Sequence, residues 1–236
     1  MSIIFEERAS ESSFVETVMC GYTVGQGFSI RPAESHWHMV LRKLDGKVDL
    51  LVVGPWTRSG QISYTDGAEL LWIKLKLGTF MPHLPTRSIL DRETVMPDAA
   101  GQSFWLGGST WQFPDYENAD TFVNRLAREQ VLASDPMVNA VLQNQLLEPE
   151  LASRTVRHRF LRATGITQSH IRQLERAQLA ANLLRQGMPI LDTVYEAGYF
   201  DQPHLTRSLK QWIGHTPAQI IEAAASTRIC SDRPFV

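Results

Sequence analysis

Cysteine is scarce in this chain: Cys20 and Cys230 are its only two. They form no CxxC and are too few for a disulfide framework or a thiolate zinc site. No apolar run approaches the ~20 residues of a membrane span. The start, MSIIFEERASESS, lacks the basic end and apolar core of a signal peptide, so the chain is expected in the cytoplasm. No Ser/His/Asp order, P-loop or GxGxxG stands out, and Gly107-Gly108 reads as a loop rather than a phosphate cradle. An overall basic surplus is missing as well, the formal net charge being −2. What remains is ordinary soluble composition, 43% hydrophobic and 20% charged, in 236 residues, a length that fits two domains.

The charge is unevenly divided. Met1 to Ala119 holds 10 Lys/Arg against 14 Asp/Glu, whereas Leu151 to Ile220 holds 9 against 4. A local basic footprint beside an acidic half suits a sequence-specific binder better than a nonspecific coat.

The basic part, Ala152 to Pro217, carries two similar patterns in series. In ASRTVRHRFLRATGIT, Val156, Phe160 and Ala163 fall on one helical face, while Arg154, Arg157 and His158 lie on another at i, i+3, i+4. Gly165 stands where a helix end wants it. In GYFDQPHLTRSLKQWIGHTP, Leu205, Leu209 and Trp212 make the buried stripe, Asp201 is the N-cap, Pro203 sits in the first turn and Gly214 ends the helix. Gln202, Pro203, His204 and Arg207 lie at or near the other face. Thr216-Pro217 opens a further helix. Between the two patterns, Gln168 to Gln186 has no internal Gly or Pro, and nineteen helical residues would span about 28 Å. Helices with Arg and amide side chains near their N-terminal ends suit the major groove, where Arg bonds guanine and Gln bonds adenine in bidentate fashion. The linker length is close to the ~34 Å turn of the duplex. Arg159 and Arg162 lie off the reading face and are expected to touch phosphates or nothing.

The run from Gly198 to Pro217 and the RATGIT run with its long helix resemble the two motifs of the AraC/XylS transcription regulators, over roughly Asp120 to Ala224. The resemblance implies an α+β multidomain protein: a β-barrel or sandwich of cupin-like type over 1–117, for effector binding or dimerisation, then an all-α domain with two helix-turn-helix motifs over 118–236. It implies Arg154, Arg157, His158, Gln202, Pro203, His204 and Arg207 as DNA-binding residues, and double-stranded promoter or operator DNA as partner. RNA polymerase, a small-molecule effector and a second copy joined through the N-terminal domain are further expected partners, with no membrane and no cofactor. One departure concerns the helix before the first reader. Its place falls to Pro136–Asn144, followed by the loop QLLEPEL, whose Pro149 rules out a continuous helix.

The first hundred residues read as β. Candidate strands are Phe14–Tyr22, His36–Arg42, Val48–Val53, Gln61–Thr65 and Glu69–Leu77, the last with Leu71, Ile73, Leu75 and Leu77 opposed to Trp72, Lys74 and Lys76. Asp66-Gly67 marks a turn. From Gly78 to Tyr116 the pattern is irregular and proline-punctuated, and Phe104, Trp105, Trp111, Phe113 and Tyr116 crowd together, covering the barrel or lining a pocket. Asp120 to Gln130 reads as an amphipathic helix burying Phe122, Val123 and Leu126.

His36, His38 and His83 come nearest to a metal constellation, since i and i+2 on a strand face the same way. A carboxylate ligand a few residues later in the chain would be needed, and Asp45, in a turn beside Gly46, is the only acidic residue near enough. These histidines are expected instead to hydrogen-bond within the barrel or to a polar ligand. The candidates for effector contact are His36, His38, Trp72, His83 and Trp105, with no metal site and no catalytic residue. A cupin-like metal-dependent enzyme with a helical appendage is the alternative function. Methyl-acceptor repair chemistry through a zinc-bound cysteine is excluded, because Cys20 is alone in the first half.

Overall fold

In the computed structural model the described residues are 2–99, 102–143 and 153–231. The loop QLLEPEL and Asn144 lie outside them. The chain forms two compact units. The first comprises Met1–Ser29, Ser35–Trp56 and Ser63–Gln168; the second comprises Ile30–Glu34, Thr57–Ile62 and Ser169–Val236.

The strands are β1 (Ser2–Ala9), β2 (Val15–Val24), β3 (Gly27–Arg31), β4 (His38–Leu44), β5 (Lys47–Val53), β6 (Gly60–Tyr64), β7 (Glu69–Leu75), β8 (Thr79–Phe80), β9 (Glu93–Val95), β10 (Asp98–Ala99), β11 (Ser103–Leu106), β12 (Ser109–Gln112) and β13 (Ala133–Ser134). The helices are α1 (Ala119–Arg128), α2 (Met137–Leu142), α3 (Ser153–Thr164), α4 (Gln168–Arg185), α5 (Ile190–Glu196), α6 (Gln202–Trp212) and α7 (Pro217–Ser231). A sheet-rich region followed by helices is the α+β organisation the sequence implies. One exception lies inside the part expected to be all-α, where β13 pairs antiparallel with β8.

The main sheet has six strands in the order β1-β2-β7-β4-β5-β9, and β10-β11-β12 form a second, smaller sheet. Alternation decides its faces: Leu71, Ile73 and Leu75 of β7 are buried together with Val18, Met39, Leu50 and Val52. Against that face pack Phe122, Val123 and Leu126 of α1 and the aromatic pair Phe104 and Trp111. Each such side chain removed from water contributes roughly 1.5–3 kcal/mol. The β4–β5 hairpin closes through Asp45 and Gly46, both at positive φ (50° and 78°), as the tight two-residue turn requires.

The five expected strands are present as β2, β4, β5, β6 and β7, and β1 and β3 are additional to them. The stretch read as irregular is not: it holds β8 to β12, each two to four residues long, too short for alternation to register. Its aromatics serve partly as packing, Phe104 stacking on Phe113 with ring centroids at 5.4 Å, while Trp105 stays 47% exposed.

The second unit has its own core. Leu174, Ala177, Ala180, Ala181 and Leu184 of α4 meet Leu205, Leu209 and Trp212 of α6, with Ile213, Ile220 and Ala33 completing the cluster. The alanines let the helices approach closely. Two short loops from early in the chain belong to this unit and cap the end of α6: the Ala33 amide donates to the Trp212 carbonyl at 2.7 Å, and the Ser59 amide to Gln211 at 2.8 Å. The Ser59 hydroxyl adds a bond to the Lys210 carbonyl at 2.9 Å. Helix ends leave their last carbonyls without intrahelical partners, and here three are supplied.

Candidate nucleic-acid interface and ligand cleft

Helix α6, expected as the second reader, is built as its sequence requires. Asp201 is its N-cap, in extended conformation, and accepts from the His204 amide at 2.6 Å; Pro203 occupies the first turn. Gly214, at φ 88°, follows the helix end, and Thr216 and Gln219 make a reciprocal capping box that starts α7. With Leu205, Leu209 and Trp212 buried, the opposite face is left to water: Gln202, Pro203 and Arg207 are exposed. His204 is half-buried, its ring edge-on to Tyr199 at 5.1 Å, and Tyr199 is held by Ser208 and by the Arg176 guanidinium over its face. The exposed face runs on to Lys210, three residues past Arg207, which the sequence reading left out although its i, i+3 spacing was visible.

Helix α3, expected as the first reader, presents Arg154, Arg157 and His158 to solvent and buries Phe160 and Ala163, with Val156 partly covered. Arg159 and Arg162 depart from expectation. Rather than being reserved for phosphates, Arg159 forms a two-bond pair with Asp135, at 2.8 and 3.0 Å, and Arg162 lies over the Phe80 ring at 5.5 Å. Asp135 was unseen from sequence because 24 residues separate it from Arg159. At the end of α3, the Thr86 hydroxyl reaches the carbonyls of Arg162 and Ala163, at 3.3 and 3.4 Å. Gly165 has φ 75°, and a Cβ there would come within 3.0 Å of the Thr86 methyl. The glycine therefore serves both the turn and the close approach. Arg159→Ala is accordingly expected to lower stability in urea unfolding by about 0.5–1 kcal/mol, without changing the salt dependence of DNA binding. A reduced salt slope with unchanged stability would return Arg159 to the phosphates.

The expected effector residues separate. His83 and Trp105 share a cleft of about 200 Å³ with Met81, Leu84, Met96 and Leu106. His36, His38 and Trp72 do not line it. His38 and Trp72 occupy adjoining strands of the main sheet, with His38 opposite Lys74 and Trp72 opposite Val40 in register. His36 pairs with Glu16 at 2.9 Å, and Lys74 reaches the same carboxylate at 3.3 Å. Asp45 sits at the far end of β4 from His38, roughly 20 Å away at ~3.3 Å per residue. Among the described residues no three His, Cys, Asp or Glu side chains are grouped to hold a metal ion.

The His36 hydrogen bond, aided by the charges of His36 and Lys74, holds the Glu16 carboxyl at about 2, against an ordinary 4.5, despite opposing burial. A depressed carboxyl favours the folded state above the ordinary value, and that contribution is lost as pH falls from about 4.5 towards 2. Glu16→Gln should therefore flatten the acid limb of the stability profile in that window. Because the side chain is 41% exposed, solvent screening keeps the effect within about 1 kcal/mol. Urea midpoints across pH would check this; parallel acid limbs for the two proteins would contradict it.

Comparison with known proteins agrees with the helical geometry. Residues 150–223 match the family described as a helix-turn-helix domain. A stretch of 133 residues is 29% identical to the HTH-type transcriptional regulator RipA of Corynebacterium glutamicum, covering 56% of this chain and 38% of that protein. The chain thus matches well under half the length of this curated relative. Among solved structures, ToxT from Vibrio cholerae is similar with a TM-score of 0.36 and 8% identity, over 95% of this chain and 97% of that one. No helix among the described residues is long and apolar enough to cross a membrane. With its capped α6, its glycine-ended α3 and the matched region spanning both, the stretch 150–223 of this chain is similar to a helix-turn-helix domain.

Proposed function

We propose that the protein is a sequence-specific DNA-binding transcription regulator in which α3 and α6 enter successive major grooves. The observation that carries this reading is a pair of exposed faces, Arg154/Arg157/His158 on α3 and Gln202/Pro203/Arg207 on α6, separated in the chain by the uninterrupted α4 and the short α5. Gln168–Arg185 has 18 residues, hence a length of about 27 Å, near the ~34 Å repeat of the duplex. RipA, the relative named above, is itself called an HTH-type transcriptional regulator. The reading assigns DNA binding to residues 118–236 and effector binding or dimerisation to residues 1–117. It places the protein in the cytoplasm, with promoter DNA and RNA polymerase as partners. Catalysis has no part in it, since this family is one of regulators generally without enzymatic activity.

Two readers in one chain make an asymmetric site of roughly 15–20 bp per protomer, without the palindrome that a one-helix dimer needs. The test is selection of genomic fragments by the purified full chain, followed by footprinting at physiological salt. An asymmetric protected site of that length supports the reading. Protection of any fragment alike, or of none, would overturn it. Metal analysis of the same protein and of a His36→Ala/His38→Ala variant separates it from the metal-dependent enzyme, which requires stoichiometric metal that the variant loses.

A further inference from the structure

The cleft beside His83 and the support of α3 are built from the same two strands. Immediately after β8, Met81, His83 and Leu84 line the cleft; two residues before β13, Val131 lines it too. On the same strand pair, Phe80 of β8 lies under Arg162, and Asp135, directly after β13, grips Arg159. Five residues further on from Met81, Thr86 bonds the end of α3. Phe80 pairs with Ala133 and Thr79 with Ser134, and a local bridge from Met81 to Leu84 closes the turn that lines the cleft. Met81 is thus next in the chain to Phe80, and Val131 is four residues from Asp135, the two residues that hold the helix.

We propose that this cleft binds a small apolar molecule carrying one hydrogen-bonding group, and that its occupancy sets the position of α3 through the β8–β13 pair. The significance for regulation rests on α3 being a DNA reader, but the site and its coupling do not. The lining fixes the ligand class. About 200 Å³ suffices for a single ring, since an apolar cavity of ~150 Å³ holds benzene. Leu84, Leu106 and the thioethers of Met81 and Met96 offer adaptable apolar contact, and the half-exposed Trp105 indole offers an aromatic surface. His83, exposed among the lining residues, is the side chain placed to bond the ligand's polar group. A sugar or other polyhydroxylated ligand would leave most of its hydroxyls without partners here, which is costly.

Phenol is the probe, added to the full chain without DNA and followed by amide hydrogen exchange. Exchange is expected to slow over 79–86 and 131–135 and also along α3, while α6 is unaffected. Leu106→Trp, which fills the cleft, should abolish the change. His83→Ala, a surface substitution, should weaken phenol binding about threefold to tenfold and leave the fold intact. Protection over 79–86 with α3 unchanged would overturn the coupling. No protection at saturating phenol, protection that survives Leu106→Trp, or undiminished affinity in His83→Ala would overturn the site. Protection of the cleft that rises with protein concentration alone would assign it to a second copy instead. No arm uses DNA, so a chain that couples phenol to α3 but selects no DNA would refute the regulator reading separately.

Discussion

Leu209→Ala should lower the unfolding free energy by about 2–5 kcal/mol, the range for truncating a buried leucine that leaves a cavity. Leu209 is fully buried, in a cluster where α6 rests on the alanine face of α4. Alanines cannot extend to refill the space, which argues for the upper part of the range. Against a total stability of about 5–15 kcal/mol, such a loss leaves the helix poorly held. Urea unfolding of the full chain by far-UV circular dichroism would measure it, and DNA affinity should fall along with stability. A loss below about 1 kcal/mol would mean that α6 does not pack on α4 as described.

Arg207→Ala should behave in the opposite way. The residue is exposed, one turn past the N-terminal end of α6, so stability should stay within about 0.5 kcal/mol. Binding to the specific site should weaken by about 1–3 kcal/mol, with relaxed preference at a single base position. Titrations on the selected site and on single-base variants at several salt concentrations decide the point. Equal loss on every sequence, with the salt slope reduced by about 1, would make Arg207 a phosphate contact. Together the two variants separate the helix as scaffold from the helix as reader.

The C-terminal helices were legible because their signals are local: Asp201 caps its own helix, Gly165 and Gly214 stop theirs, and Leu205, Leu209 and Trp212 repeat at helical spacing. Of the main strands, β4 and β7 announced themselves by alternation, β2 by its β-prone residues and β5 as a short apolar run closed by a turn signal. What escaped depends on residues brought together from afar. Asp135 and Phe80 claim arginines expected to touch phosphates or nothing, and Glu16 claims His36. The small strands β8 to β12 escaped because two to four residues cannot display a period. His83 and Trp105 were named as ligand contacts among five candidates, but which of the five share a cavity is decided by strand pairing.

The amides of Ala33 and Ser59, bound to the last carbonyls of α6, tie this helix to chain that precedes it by more than 150 residues. Cutting the gene anywhere between would strip those carbonyls of their donors. A C-terminal fragment prepared by itself, or transplanted behind a foreign sensor, would therefore carry a frayed α6. In this molecule a faithful graft must bring along the segments around Ala33 and Ser59.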